Sequence, residues 1–194
     1  MTRRLVLCST SRYRRDLLAR LQLPFESAAP DLDESPLAGE TVAALTERLA
    51  LAKAQALAAG FPNAVLIGSD QAASCDGRLL GKPGTRELAI EQLRSASGHE
   101  VEFHTAVAVL DTASGQHRSE RDVTRVRFRE LHEREIERYT DREAALDCAG
   151  SFKCEGLGIA LFDAIETRDP TALVGLPLIA TARLLRCFGL DPLA

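Results

Sequence analysis

The residues of this chain that could do chemistry are concentrated between positions 64 and 83. An apolar run at 64–67 leads into Gly68-Ser69-Asp70, and Gly81-Lys82-Pro83 follows after a turn at Asp76-Gly77. This segment supplies a carboxylate, which can accept a proton or bind a metal, and a lysine, which can bind phosphate. The combination is typical of polyphosphate hydrolysis, in which a protein positions the reacting groups and neutralises developing charge.

Asp70 also has a purely structural interpretation. An aspartate that follows an apolar run is commonly a turn former or a helix cap, and we predict that the strand at 64–67 ends before it. The stretch from Gly77 to Lys82 imitates a Walker A motif, but its spacing is too short and Pro83 stands where a Ser or Thr is required. The segment is therefore not a P-loop.

Composition limits the partners of the chain. With 194 residues, of which 45% are hydrophobic, it suits one domain over residues 1–194, or two closely joined lobes. A net charge of −4 argues against binding a nucleic-acid polymer, which requires an extended basic surface. A small polyanion could still be bound by a local basic cluster. The candidates for this cluster are Arg14, Arg15, Lys53 and Lys82. Each of them could equally be a solvated surface charge.

The cysteines and the N-terminus indicate a cytoplasmic protein. The five cysteines are scattered without a CxxC pair, as expected for reduced and mostly buried thiols. Basic residues precede the apolar run at 5–7, but that run is too short for a secretion signal or a membrane span. The four histidines have no metal-ligand spacing, and GxSxG, HExxH and GxGxxG motifs are absent. Serine hydrolases and zinc enzymes are therefore disfavoured.

Strands and helices alternate along the chain. Residues 5–8 predict a buried strand and Ser9-Thr10-Ser11 a capped turn. The run that follows, through Leu21, predicts an amphipathic helix whose start could present backbone N–H groups and Arg14 to an anion. Residues 41–59 predict a long helix, on which Lys53 lies one step off the apolar stripe and would reach outward from a boundary position.

The second half of the chain adds further elements. Helices are predicted at 85–96, 133–139 and 178–188, a hairpin at 101–110 and 123–128, and a strand at 159–162. This order implies an α/β fold with a mixed sheet. If the chain forms two lobes, the breaks are expected near 81–84 and 149–150, and the cleft between the lobes would be the default site.

Four blocks together resemble the Maf family of nucleoside triphosphate pyrophosphatases. They are residues 7–18, which read LCSTSRYRRDLL; Asp33-Glu34 with the helix carrying Lys53; Gly68-Ser69-Asp70 with Gly81-Lys82-Pro83; and residues 147–156, which read DCAGSFKCEG, with VGLPL at 174–178. The resemblance implies a two-lobed Maf/ITPase-like fold with an elongated mixed sheet, flanking helices and a central cleft. It also implies hydrolysis of a nucleotide to its monophosphate and pyrophosphate with a divalent metal (Mg²⁺, Mn²⁺ or Co²⁺), and it allows a homodimer.

The resemblance assigns roles to individual residues. Asp70 would be the proton acceptor or, with Glu34, a metal ligand, and the sequence leaves both roles open. Phosphate binding falls to Ser9, Arg14, Lys53 and Lys82. Three departures from the common pattern, Tyr13, Gln71 and Glu155, resemble the subgroup that hydrolyses 7-methyl-GTP.

The departures at Tyr13 and Glu155 suit a cationic base. N7-methylation gives guanine a positive charge, which a carboxylate at Glu155 would attract and the ring of Tyr13 could stack upon. A solvent-facing Glu and a packing Tyr are the alternatives, and Arg12, in place of the family's proline, is unexplained. Two other functions remain open: a Maf pyrophosphatase acting on dTTP, UTP or another modified nucleotide, and a nucleotide-sensing regulator of cell division with little turnover.

Overall fold

The computed structural model describes residues 3–143 and 145–194. The first two residues of the basic N-terminal segment, and position 144, lie outside this description. The described chain divides into two compact units. The first contains the chain up to Gln71 together with Thr105–Asp122 and Asp169–Ala194, and the second contains Ala72–His104 and Val123–Arg168.

The predicted breaks near 81–84 and 149–150 are wrong, because both turns lie inside the second unit. They are held by contacts within that unit. The amide of Gly84 donates a hydrogen bond to the carbonyl of Leu146 at 3.1 Å, and Gly150 packs beside the rings of Phe103 and Phe152. A turn that is tied down in this way joins two parts of one unit.

The described residues form seven strands and five α-helices. The strands are β1 (Arg4–Cys8), β2 (Glu26–Ala28), β3 (Ala64–Cys75), β4 (Arg78–Leu80), β5 (Glu100–Asp111), β6 (His117–Phe128) and β7 (Phe162–Glu166). The helices are α1 (Arg12–Ala19), α2 (Val42–Leu57), α3 (Arg86–Ala96), α4 (Glu133–Arg142) and α5 (Leu178–Cys187). Short 3₁₀ helices lie at Ala58–Gly60, Ala149–Ser151, Leu157–Leu161 and Ala172–Val174.

The strands form one mixed sheet in the order β2-β1-β3-β5-β6-β7, with β4 paired to β3. β1 is parallel to β2 and β3, whereas β4 is antiparallel to β3 and β7 is antiparallel to β6. β5 and β6 are neighbours joined only by residues 112–116, too short a connection for a parallel pair. The predicted α/β class, mixed sheet and central hairpin are therefore confirmed.

Two predicted strands differ from the structure. β3 does not end before Asp70 but continues to Cys75, and β4 folds back to pair with its last three residues. The strand predicted at 159–162 is wrong: Leu157–Leu161 is a 3₁₀ helix, and β7 begins only at Phe162. An apolar run of four residues does not by itself distinguish a strand from a short helix.

The core of the first unit has two faces because side chains alternate along a strand. Val6, Leu66 and Leu110 pack with Ala54 of α2 on one face. On the opposite face, a larger apolar cluster joins the strands to α1 and α5; it includes Leu7, Ile67, Val107, Leu17, Leu18 and Leu185. Helices therefore cover both sides, which explains the almost uninterrupted apolar character of the strands.

The second unit has an aromatic core. Phe103, Phe128, Phe152 and Phe162 make edge-to-face contacts with ring centroids 4.7 to 5.6 Å apart. Such pairs each contribute about 0.5–1.5 kcal/mol beyond area burial. Across residues 3–143 and 145–194, no helix combines the length and hydrophobicity that crossing a bilayer requires.

Candidate active site

A cluster of three charged side chains lies in the first unit. The Lys53 Nζ atom is 2.6 Å from Asp70 Oδ1 and 2.9 Å from Glu34 Oε2. Lys53 and Asp70 are 5% and 6% exposed, whereas the Glu34 side chain is 54% exposed. The prediction that Lys53 reaches outward from a boundary position is therefore wrong. Its ammonium is buried because two carboxylates replace its hydration.

The approach of α2 to β3 brings Lys53 to Asp70. Gly68 lies two residues before Asp70 on β3, and a Cβ atom placed there would be 2.0 Å from the backbone oxygen of Ala50 on α2. A glycine is therefore required at this contact. Its signal was present in the sequence, since glycine inside a buried strand often marks a close approach of another backbone.

The loop that carries Glu34 is fixed from α2. The Arg48 guanidinium donates to both carboxylate oxygens of Glu40, at 2.6 and 2.8 Å, and to the backbone oxygen of Ser35 at 3.1 Å. This bidentate pair lowers the pKa of Glu40 to about 2, chiefly through the hydrogen bond from Arg48. Arg48, held by Glu40, thus fixes the backbone of Ser35, the residue next to Glu34. Nothing in the sequence spacing had indicated this role.

Neighbours of Asp70 on β3 face the loop that precedes α5. Ser69 Oγ donates to the carbonyls of Ala106, at 2.8 Å, and Gly175, at 3.1 Å. The same Gly175 oxygen accepts a hydrogen bond of 2.8 Å from Arg14 Nε. Gly175 has a φ of +118°, in the left-handed region that favours glycine. One carbonyl therefore joins α1, β3 and the loop and fixes the Arg14 guanidinium.

Gln71 binds the same loop. Its Nε2 atom donates to Thr105 Oγ1 and to the carbonyl of Ala172, both at 2.9 Å, and to the carbonyl of Leu173 at 3.1 Å. The amide nitrogen is thus hydrogen-bonded within the first unit. Its predicted role in substrate specificity stays a prediction, and the observed geometry gives Gln71 a role in positioning residues 172–175.

Burial and charge act in opposite directions on Asp70. Burial raises the pKa of its carboxyl above the ordinary value, and the charge of Glu34 raises it further, while Lys53 and Arg14 lower it. For Arg14, burial lowers the pKa of the guanidinium, and the charges of Asp70 and Glu34 raise it. Arg14 therefore belongs electrostatically to the same cluster as the two carboxylates. Perturbed titration of this kind is frequent in active sites.

Ser9 and Tyr13 lie near the start of α1. Ser9 is 7% exposed, and its Oγ atom accepts a hydrogen bond from the Ser11 amide at 3.1 Å. A cavity of about 250 Å³ is lined there by Ser9, Thr10, Ser11, Arg15, Ser27, Ala28 and Ala29. The Arg12 guanidinium lies over the Tyr13 ring, 4.8 Å from its centroid. The predicted roles of Ser9 in phosphate binding and Tyr13 in base recognition stay predictions.

Lys82 and Glu155 belong to the second unit, and both are exposed. Glu155 Oε2 accepts a hydrogen bond of 3.4 Å from the Cys154 thiol. The segment that follows it contacts Glu143, whose Oε2 accepts a hydrogen bond from the Gly158 amide at 3.1 Å. The roles predicted for Lys82 and Glu155 rest on the resemblance alone and stay predictions.

Glu34 and Asp70 fit a divalent cation. Two carboxylate oxygens within 2.9 Å of one nitrogen atom can also approach one metal ion, and oxygen ligands suit Mg²⁺ or Mn²⁺. Within residues 3–143 and 145–194, no group of three or more His, Cys, Asp or Glu side chains could hold a metal. Two carboxylates suit a magnesium-type ion, which usually keeps several waters and binds substrate phosphates as its remaining ligands.

Known proteins resemble this chain over almost its whole length. The chain is 59% identical to a 7-methyl-GTP pyrophosphatase of Xanthomonas oryzae pv. oryzae, covering 97% of this chain and 98% of that protein. It is 57% identical to a protein of the same name from Aromatoleum aromaticum, covering 96% of each.

A structural likeness to the Staphylococcus aureus Ham1 protein covers 65% of this chain and 72% of that one, with a TM-score of 0.48 and 16% identity. This overlap is too weak to support a conclusion. By contrast, the Maf-like protein family model matches residues 4–188. The chain belongs to the Maf family.

Proposed function

We propose that this protein is a nucleoside triphosphate pyrophosphatase that hydrolyses 7-methyl-GTP to 7-methyl-GMP and pyrophosphate, and so removes a modified nucleotide from the pool. The observation that carries the chemistry is the buried Lys53–Asp70 pair with Glu34 beside it. The substrate is taken from the near-full-length relatives of that name.

Asp70 is the proposed proton acceptor or metal ligand. Its carboxylate lies in the middle of β3, between the residues that pair with β1 and those that pair with β4. The hydrogen bond from Lys53 favours the ionised form of Asp70, which either role requires. Burial removes water that would otherwise weaken the attraction between these charges.

Arg14 and Lys53 are the proposed phosphate cations of the first unit. The Nε bond to Gly175 fixes the plane of the Arg14 guanidinium, and a fixed guanidinium is suited to bidentate contact with phosphate oxygens. The hydroxyls near Ser9 and the cavity at the start of α1 add neutral donors. These groups would hold the triphosphate and neutralise the charge that develops on the leaving pyrophosphate.

Glu34 and Asp70 would hold the divalent ion, for which we propose Mg²⁺, Mn²⁺ or Co²⁺. When bound, such an ion neutralises phosphate charge and increases the acidity of a nearby water molecule. Within the same proposal, Lys82 contributes a further phosphate cation, while Glu155 and Tyr13 favour the cationic base. A homodimer and a cytoplasmic location remain predictions from the resemblance and from the cysteine content.

The test is a substrate panel with purified protein. Wild type is incubated with 7-methyl-GTP, GTP, dTTP and UTP in the presence of each metal, and pyrophosphate and orthophosphate are measured separately. We expect metal-dependent pyrophosphate release that is fastest with 7-methyl-GTP. Preference for dTTP or UTP would contradict the substrate, orthophosphate as the first product would contradict the cleavage position, and tight binding without turnover would favour a sensor.

A further inference from the structure

Lys53 occupies the one point on which both carboxylates of the site converge. Its Nζ atom contacts Asp70 Oδ1 at 2.6 Å and Glu34 Oε2 at 2.9 Å. Nitrogen-to-oxygen distances of this length are charge-assisted hydrogen bonds, which are stronger than neutral ones. A divalent cation held by the same two oxygens would therefore compete directly with the ammonium.

The charges of the cluster are already balanced. Asp70 and Glu34 contribute two negative charges, while Lys53 and the nearby Arg14 contribute two positive charges. A bare divalent cation would find no uncompensated anion among these four groups and would be repelled by both cations. A nucleoside triphosphate changes this balance, because its phosphates add negative charge that can pair with Lys53 and bind the metal at once.

We propose that Lys53 is a resident cation that holds the metal-binding carboxylates in the free protein and excludes a divalent ion until the nucleotide arrives. This inference rests on the proposed function, since it concerns the same site. The ammonium then moves from the carboxylates to phosphate oxygens, which agrees with its predicted role in phosphate binding. The consequence is coupled binding: metal alone binds weakly, and metal with nucleotide binds well.

The test measures Mn²⁺ binding to the protein without nucleotide, from the loss of the electron paramagnetic resonance signal of free Mn²⁺. Lys53→Met keeps the length of the buried side chain and removes its charge. It should bind Mn²⁺ at least about tenfold more tightly than wild type, which corresponds to about 1.4 kcal/mol. Equal or weaker binding by Lys53→Met would overturn the proposal.

Two variants serve as controls. Lys53→Arg retains a cation and should bind Mn²⁺ no more tightly than wild type; a gain equal to that of Lys53→Met would show that charge is not the cause. Arg183→Met removes one positive charge from an exposed pair with Glu120 in the first unit. Its Mn²⁺ affinity should stay within about twofold of wild type, because an exposed pair away from the two carboxylates has little effect on metal binding there.

Thermal unfolding of wild type gives a second reading that needs no variant to fold. A ligand that binds the folded state raises the melting temperature. Mg²⁺ alone should barely change it, and Mg²⁺ with a non-hydrolysable 7-methyl-GTP analogue should raise it more than the analogue alone. A rise from Mg²⁺ alone as large as that with the analogue present would contradict the proposal.

The two proposals fail in distinguishable ways. A wild-type protein that releases no pyrophosphate from any nucleotide of the panel refutes the proposed function. The Mn²⁺ comparison of the nucleotide-free proteins is made without turnover, so an unchanged affinity in Lys53→Met refutes only the role of Lys53 as a resident cation.

Discussion

The cluster around Asp70 and the segment around Glu155 place their charged groups in opposite ways. Asp70 and Lys53 lie on a strand and a helix, and both are buried and paired. Glu155 lies outside regular helices and strands, and its side chain is exposed. Regular elements hold reactive groups at fixed distances and allow burial to change their titration, whereas an exposed loop carries a charge that can change without disturbing the core.

Breaking the rigid side of this comparison should have a larger effect than changing its exposed side. In Gly68→Ala the added Cβ would meet the backbone of Ala50, so α2 must move away from β3 and separate Lys53 from Asp70. We expect unfolding to become easier by about 1–3 kcal/mol and pyrophosphate release from 7-methyl-GTP to fall about 100-fold. Denaturant unfolding and steady-state kinetics measure both effects.

Gly60→Ala is the matched control for that variant. Gly60 has nothing within 4 Å of an added Cβ and lies in the short 3₁₀ helix after α2. Stability and turnover should therefore stay close to wild type. If Gly68→Ala behaved like Gly60→Ala, the close approach of α2 would not be needed for the site.

A smaller effect is expected from the exposed side of the comparison. Glu155→Gln removes a charge without changing shape, so it should leave stability and GTP turnover unchanged. The preference for 7-methyl-GTP over GTP, taken from the ratio of kcat/KM values, should fall about five- to tenfold. Asp163→Asn, another exposed carboxylate of the second unit, should leave that preference intact. An unchanged preference in Glu155→Gln would remove Glu155 from base recognition.

The smallest effect concerns the stability cost of the buried carboxylate. The folded-state pKa of Asp70 is raised above its ordinary value of about 3.8. The protonated carboxyl therefore stabilises the folded protein below about pH 3.8, and this stabilisation is lost as the pH rises through the raised pKa. Asn imitates the uncharged form. The free energy of unfolding of Asp70→Asn should therefore increase relative to wild type as the pH rises through this range. A difference that does not change with pH would contradict the raised pKa.

Much of this architecture could be predicted from the sequence. Apolar periodicity located the helices, and Ser11, predicted as a cap, accepts a cap hydrogen bond in the structure, as do Thr41 and Thr85. The turn predicted at Asp76-Gly77 lies between β3 and β4, which pair as antiparallel strands. These features depend on neighbours within a few residues, so local sequence was sufficient.

Other features depend on contacts between distant segments and could not be predicted. Asp70 looked like a strand end because a carboxylate inside a strand is unfavourable, and only the ion pair with Lys53, 17 positions away, explains it. The link between Arg14 and Gly175 spans 161 positions. Local patterns therefore gave the elements, whereas the partners of the buried charges required the fold.

The most direct test of the central claim is pyrophosphate release from 7-methyl-GTP by Asp70→Asn, with Asp111→Asn as the matched control. Asp111 is also a buried aspartate of the first unit, but it pairs with Arg3. We predict that Asp70→Asn lowers kcat about 10²- to 10⁴-fold in a folded protein, while Asp111→Asn retains kcat and only lowers the melting temperature. A folded Asp70→Asn variant with kcat near that of wild type would contradict the assignment of catalysis to this cluster.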